Sequence, residues 1–178
     1  DALRGRLTPA AGKPMEALLP LRFPSFDKMR RGEQIISVAE LKQRFYTGLQ
    51  VTTLGYGAME LRHVDEAQAE RLLKGVLDAG INFIDTAPAY GSSEQRLGEL
   101  LPDRDDWVIV TKTGEIFEHG QSRFDFSYDY TVHSVENSLR RLKRDMVDVV
   151  LVHSDGNDMD IINNEGVFDA LESLKYRG

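Results

Sequence analysis

The chain contains no cysteine among its 178 residues. A disulfide framework, a thiol nucleophile and a thiolate metal site are therefore excluded. A protein without disulfide chemistry suits a reducing compartment, and we predict a cytoplasmic location.

Long apolar runs and a basic charge excess are missing as well. No apolar stretch approaches the roughly 18 residues that a membrane helix requires. The formal net charge is −7, whereas a nucleic-acid groove needs clustered cations that displace phosphate counterions. The apolar share of 41% and the charged share of 29% are those of an ordinary globular protein. We therefore predict a soluble domain with no membrane span and no nucleic-acid partner.

The first 45 residues differ in composition from the rest. Four of the six prolines lie within the first 24 residues, and residues 1–45 carry a formal charge of +4 against −11 for residues 46–178. This pattern predicts an extension or linker at 1–45 that is poorly ordered, followed by one folded domain at 46–178. Inside the extension, a capping-box pattern at 37–40 predicts a short helix through Leu41 and Phe45.

Strand-like and helix-like segments alternate after residue 46. A loosely alternating strand is predicted at 49–59, and near-continuous apolar runs predict buried parallel strands that end at Asp85, Lys112 and His153. Amphipathic helices are predicted to begin near residues 65, 92 and 131, with a long polar loop at 114–129 and an acidic loop at 155–160. The first of these helices is predicted to bury Ala69, Leu72, Leu73, Val76 and Leu77. A last helix is predicted after the acidic loop, with Val167, Phe168, Leu171 and Leu174 inward. Four strands, each followed by a helix, predict an α/β fold of the (β/α)8 barrel type with its first four βα units in this chain.

Polar residues able to do chemistry stand at or just beyond these strand ends. They are Asp85, Tyr90, Lys112 and His153. Taken singly, they are most simply a loop carboxylate, a half-buried aromatic, a surface lysine and a core histidine. Because the carboxyl ends of barrel strands meet at one face, the four together predict a shared catalytic site.

The chemistry of this set is that of proton transfer to a carbonyl. A free phenol titrates near ~10, so it is a poor acid or base at neutral pH unless a neighbour shifts it. An adjacent ammonium stabilises a phenolate, and a carboxylate keeps that ammonium charged. An imidazole can then hydrogen-bond the substrate carbonyl and orient it for a hydride arriving from the opposite side.

Five segments resemble the aldo-keto reductases, in order and with family-like spacing: residues 54–59, 80–91, 93–101, 110–114 and 149–153. The resemblance covers residues 46–178. It implies reduction of a small aldehyde or ketone by NADPH, with NADH as the alternative cofactor, in a (β/α)8 barrel. It also implies that Asp85, Tyr90, Lys112 and His153 form the catalytic tetrad, with Tyr90 as the general acid. The implied cofactor contacts are Gly57, Ala58, Met59 and Asp85, and no metal is implied.

In that family most cofactor contacts come from the second half of the barrel, which this sequence does not include. The resemblance therefore implies that the 178-residue chain alone is not a competent reductase. A half-barrel also leaves open sheet edges, which predict self-association.

Two other functions fit part of the pattern. A metal-dependent barrel hydrolase or isomerase could use Asp85, His153 and Asp155 as ligands, although Lys112 in the same mouth would repel a cation. A half-barrel could also serve as a non-catalytic binding or regulatory subunit. In the 114–129 loop, Glu115, Glu118 and His119 are predicted to be solvated. Substrate identity depends on the loops and stays open.

Overall fold

A computed structural model describes residues 42–44 and 48–178. Its strands are β1 (Lys42–Arg44), β2 (Gln50–Thr52), β3 (Tyr56–Gly57), β4 (Phe83–Asp85), β5 (Val108–Thr113), β6 (Glu115–Glu118), β7 (Gln121–Phe124) and β8 (Val149–Val152). Its α-helices are α1 (Glu66–Asp78), α2 (Ser93–Leu100), α3 (Tyr128–Leu142), α4 (Asp158–Ile162) and α5 (Glu165–Arg177). Short 3-10 helices occupy Ala58–His63 and Pro88–Tyr90.

Four strands form a parallel sheet in the order β3-β4-β5-β8. Between consecutive strands of this sheet the chain forms at least one helix, as the predicted α/β pattern requires. The apolar runs before Asp85, Lys112 and His153 are confirmed as strands, with Lys112 lying inside β5 rather than after it. In the described part of the chain, no helix is long and apolar enough to cross a membrane.

The helices follow the predicted caps, with local differences. Asp65 and Gln68 form a reciprocal capping box at the start of α1. Of the residues predicted to face inward in α1, Ala69, Leu73 and Val76 are buried, Leu77 is half-buried and Leu72 is exposed. Helix α3 begins at Tyr128, three residues earlier than predicted, because Ser127 caps it through a bond from the Tyr130 N–H. In α5, Phe168 was predicted to be inward but is exposed.

Three of the predicted local structures are wrong. Residues 42–44 are a strand rather than part of a helix, because they pair antiparallel with β2. The remaining residues of the predicted extension, 1–41 and 45, lie outside the described part. The segment 49–59 holds two short strands, β2 and β3, in different sheets. The predicted polar loop at 114–129 contains a β-hairpin, β6–β7.

The main core lies between the parallel sheet and its helices. It consists of Ala58, Leu61, Ala69, Leu73, Val76, Ile81, Ile84, Leu97, Trp107, Ile109 and Leu142. A carboxylate buried beside it is paired with two neighbouring elements. The fully buried Glu94 accepts hydrogen bonds from Thr111 Oγ1 at 2.5 Å and from Arg141 Nε at 2.7 Å, which ties α2 to β5 and α3.

Asn82 fastens the N-terminal edge of the domain to the parallel sheet. Its side-chain oxygen accepts the Thr52 N–H at 2.8 Å, and its amide nitrogen donates to the carbonyls of Gln50 and Asp106. Because Asn82 is buried and directly precedes β4, it fixes β2 beside the start of the strand that carries Asp85.

Candidate active site

The strand register brings the candidate residues to one face of the parallel sheet. Asp85 pairs with Val110, and Lys112 lies two residues further along β5. Since alternate residues of a strand point to the same face, Asp85 and Lys112 share a face and are diagonal neighbours. The opposite face carries Ile84, Ile109 and Thr111, which are buried against the helices.

Lys112 and Asp85 form an ion pair at the carboxyl ends of their strands. Lys112 Nζ lies 2.7 Å from Asp85 Oδ1 and also donates to the Thr86 carbonyl at 3.1 Å. These two bonds use two of the three ammonium protons. The lysine side chain is only 12% exposed, whereas Asp85 is about one-third exposed. The ammonium is therefore fixed in position at the wall of the site.

Tyr90 lies directly against this ammonium. It ends the 3-10 turn Pro88–Tyr90, whose last N–H donates to the Ala87 carbonyl at 3.0 Å. Lys112 Nζ lies over the Tyr90 ring, 4.9 Å from its centroid. At this distance a cation is attracted to the face of an aromatic ring. The half-buried phenol is therefore held between the turn and the ion pair.

His153 also contacts the Tyr90 ring. Its backbone N–H donates to the Thr113 carbonyl at 2.8 Å, so His153 continues the ladder between β5 and β8. The His153 and Tyr90 rings are edge to face, with centroids 6.1 Å apart. The structure thus brings all four predicted residues, Asp85, Tyr90, Lys112 and His153, into one cluster.

Sequence reasoning missed a fifth residue of this cluster. Glu115 Oε2 lies 2.7 Å from His153 Nδ1, and the Glu115 side chain is only 15% exposed. The prediction that Glu115 is solvated is therefore wrong, whereas Glu118 on the same hairpin is well exposed. The cause is tertiary: the Gly114 turn brings the start of β6 against the end of β8, and no local signal in the sequence indicates this contact.

The residues predicted to contact a cofactor border the same sheet edge. Gly57 pairs with Asp85 in the register, and a Cβ atom added at Gly57 would meet no atom within 4 Å. Met59 is exposed, while Ala58 is fully buried and its carbonyl accepts a hydrogen bond from Ser93 Oγ. Gly57 and Met59 thus fit an open surface beside Asp85 that could receive a flat ring, and Ala58 supports it from behind.

The metal-site alternative finds no support in the geometry. Across residues 42–44 and 48–178, no three His, Asp or Glu side chains come together as metal ligands. Asp155 instead accepts the Asn157 N–H within its own loop. The predicted acidic loop is partly helical, since α4 begins at Asp158.

Comparison with known proteins gives a consistent result. The family model described as "Aldo/keto reductase family" matches residues 53–178. L-galactose dehydrogenase of Arabidopsis thaliana is 36% identical over 150 residues, which cover 78% of this chain and 46% of that protein.

Two solved structures are similar in fold and sequence. A Pseudomonas aeruginosa protein assigned to the aldo-keto reductases matches with a TM-score of 0.75 and 50% identity, over 80% of this chain and 58% of that one. The holo form of an aldo-keto reductase from Bacillus halodurans matches with a TM-score of 0.68 and 38% identity, over 77% and 47%. The likeness shows that the βα units described above are of the (β/α)8 barrel type. This chain spans about half the length of the proteins that it matches.

Proposed function

Since this chain belongs to the aldo/keto reductase family, we propose that the whole protein reduces a small aldehyde or ketone with a nicotinamide cofactor. The observation that carries the proposal is the contact of Lys112 Nζ with both the Asp85 carboxylate and the Tyr90 ring. This arrangement supplies a phenol beside a fixed cation, which is what a tyrosine needs to exchange its proton at neutral pH.

The proposed role of Tyr90 is to give its proton to the carbonyl oxygen. The Lys112 ammonium stabilises the phenolate that this step leaves behind, and Asp85 balances the lysine charge in a half-buried site. His153, at the edge of the Tyr90 ring, hydrogen-bonds the same oxygen and orients the carbonyl. In the reverse direction Tyr90 takes the hydroxyl proton of the alcohol while the oxidised nicotinamide cofactor accepts the hydride from its carbon.

The proposed cofactor is NADPH, with NADH as the alternative. When bound, the reduced nicotinamide supplies the hydride to the carbonyl carbon. Gly57, Met59 and Asp85 would hold its ring, with Ala58 buried behind them, because Gly57 leaves open space directly beside Asp85. Aldoses are the first substrates to test, because one of the similar proteins is named for L-galactose.

Replacement of Tyr90 tests this proposal. In the whole protein, Tyr90→Phe should lower kcat for carbonyl reduction by at least ~10²-fold, the low end of what a positioned general acid contributes. Cofactor affinity should change little, because the ring and its packing remain. Tyr176→Phe, which alters a tyrosine that is 91% exposed, is the matched control. Near-normal turnover of Tyr90→Phe would refute the role of Tyr90.

A further inference from the structure

The side chain of Glu115 connects the β6–β7 hairpin to the active-site histidine. One carboxylate oxygen, Oε1, accepts a hydrogen bond from Ser122 Oγ on β7 at 2.6 Å. The other, Oε2, lies 2.7 Å from His153 Nδ1. The carboxylate is therefore fixed at one end while its other oxygen faces the imidazole.

The imidazole side of this contact is buried. Within the described residues, His153 Nδ1 is shielded from solvent and makes no aligned hydrogen bond, although Glu115 Oε2 is at hydrogen-bond distance. A buried polar atom without a partner is destabilising, so a small rotation of the ring toward Oε2 is favoured. A carboxylate is the stronger type of acceptor for such a donor.

The backbone of Glu115 is held as firmly as its side chain. Gly114 precedes it with a φ of +102°, and a Cβ atom there would meet the Phe126 ring at 2.7 Å, so only glycine fits this turn. The Tyr130 hydroxyl donates to the Glu115 carbonyl at 3.4 Å. Burial raises the pKa of Tyr130, so this hydroxyl keeps its proton and remains a donor.

We propose that Glu115 is a positioning residue for His153, an inference that rests on the function proposed above. Glu115 keeps a proton on Nδ1, and Nε2 is then the ring nitrogen that meets the substrate. In the imidazolium, Nδ1–H pairs with the Glu115 carboxylate while Nε2–H donates to the carbonyl oxygen, which is the hydrogen bond that the proposed reduction needs. Without Glu115 the ring loses the acceptor that fixes its orientation, and Nε2–H is aimed at the substrate in a smaller fraction of the molecules.

The tautomer of His153 is a direct readout of this role. The whole protein, labelled with ¹⁵N-histidine, is measured by NMR at a pH where the imidazole is neutral, and the signals of His153 are identified with His153→Gln. We expect the proton on Nδ1 in the unmodified chain. Glu115→Leu, which removes the acceptor, should move the proton population toward Nε2. Glu115→Gln retains an acceptor oxygen and should preserve the Nδ1 proton.

Further variants keep the test independent of a folding defect. Ser122→Ala, which frees Oε1 only, should shift the tautomer in the same direction as Glu115→Leu but less far. Glu118→Leu changes an exposed carboxylate of the same hairpin and should leave the tautomer unchanged. A proton on Nε2 in the unmodified chain, or a tautomer that does not respond to Glu115→Leu, would overturn the proposal.

Kinetics of the whole protein provide the second readout. Glu115→Leu should lower kcat by about tenfold or more, a part of what positioned acid–base groups contribute, while KM changes little. Glu118→Leu should retain the kcat of the unmodified protein, and an equal loss in both variants would overturn the positioning role. If the unmodified protein reduces no carbonyl compound, the function proposed above fails, and the NMR result alone then decides the role of Glu115.

Discussion

At the scale of single residues, Lys112 is the link between the other members of the cluster. It donates to Asp85 and to the Thr86 carbonyl, and its ammonium faces the Tyr90 ring. The side chain is nearly buried, so the charge is poorly screened by solvent. A fixed, weakly screened cation beside a phenol lowers the cost of forming the phenolate.

Removal of this cation should slow carbonyl reduction. As Tyr90 gives its proton to the carbonyl oxygen, negative charge forms on the phenol oxygen, and the Lys112 ammonium is the cation beside the ring. Lys112→Met should therefore lower kcat by at least ~10²-fold, the low end of what removal of one charge-stabilising group costs. Steady-state carbonyl reduction by the whole protein measures the effect.

Lys74→Met is the matched control, because Lys74 forms only an exposed i,i+4 ion pair with Asp78. Its kcat should equal that of the unmodified protein. An undiminished kcat in Lys112→Met would show that the lysine does not act on Tyr90.

At the scale of elements, α2 and α3 approach each other unusually closely. A Cβ atom at Gly98 in α2 would lie 2.2 Å from the Arg141 carbonyl oxygen and 2.9 Å from the Leu142 Cα in α3. These are backbone atoms, so they cannot yield as a flexible side chain would. The close approach also sets the reach of Arg141 to Glu94, the buried carboxylate that holds Thr111 of β5.

Two glycine substitutions separate this packing effect from helix propensity. Gly98→Ala should lower the free energy of unfolding by about 1–3 kcal/mol, the range for forced overpacking. Gly75→Ala lies in α1, where an added Cβ meets nothing within 4 Å, and should raise stability by up to about 1 kcal/mol. Denaturant unfolding of the chain measures both values. A stabilising Gly98→Ala would mean that the helices are less tightly packed than described.

Elements that could be predicted from the sequence are those with a strong local pattern. The strands before Asp85 and His153 read as apolar runs, and the capping box at Asp65 marks the start of α1. The β6–β7 hairpin gave a weaker pattern, because β7 is exposed on both faces and β6 is only partly covered. Its turn, His119-Gly120, has positive φ at both residues. A glycine at such a position is typical of hairpin turns, so this dipeptide is the feature of the sequence that could have indicated the hairpin.

Contacts between distant segments have no local pattern from which to predict them. The meeting of Asp85 and Lys112 is predictable only because the carboxyl ends of parallel strands converge. The contact of Glu115 with His153 depends on how the hairpin folds back, and the strand of Lys42–Arg44 depends on its partner β2. Local sequence favoured a helix in the second case, and the pairing with β2 prevailed.

At the scale of the whole molecule, β3 and β8 are the outermost strands of the parallel sheet within the described residues. By the strand register, Leu151 of β8 lies on the same face as Lys112, and it is 44% exposed. An exposed apolar side chain therefore stands beside the cluster of Asp85, Tyr90, Lys112 and His153. We propose that the substrate pocket of the whole protein includes this edge of the sheet.

The central claim is that this site supports hydride transfer to a carbonyl, and isotope transfer tests it most directly. The whole protein is incubated with NADPH carrying deuterium at the transferable position and with an aldose or aldehyde substrate. The account predicts one deuterium on the carbinol carbon of the alcohol product, with formation slowed at least ~10²-fold by Tyr90→Phe. Product without deuterium at that carbon, or formed equally fast by Tyr90→Phe, would contradict it.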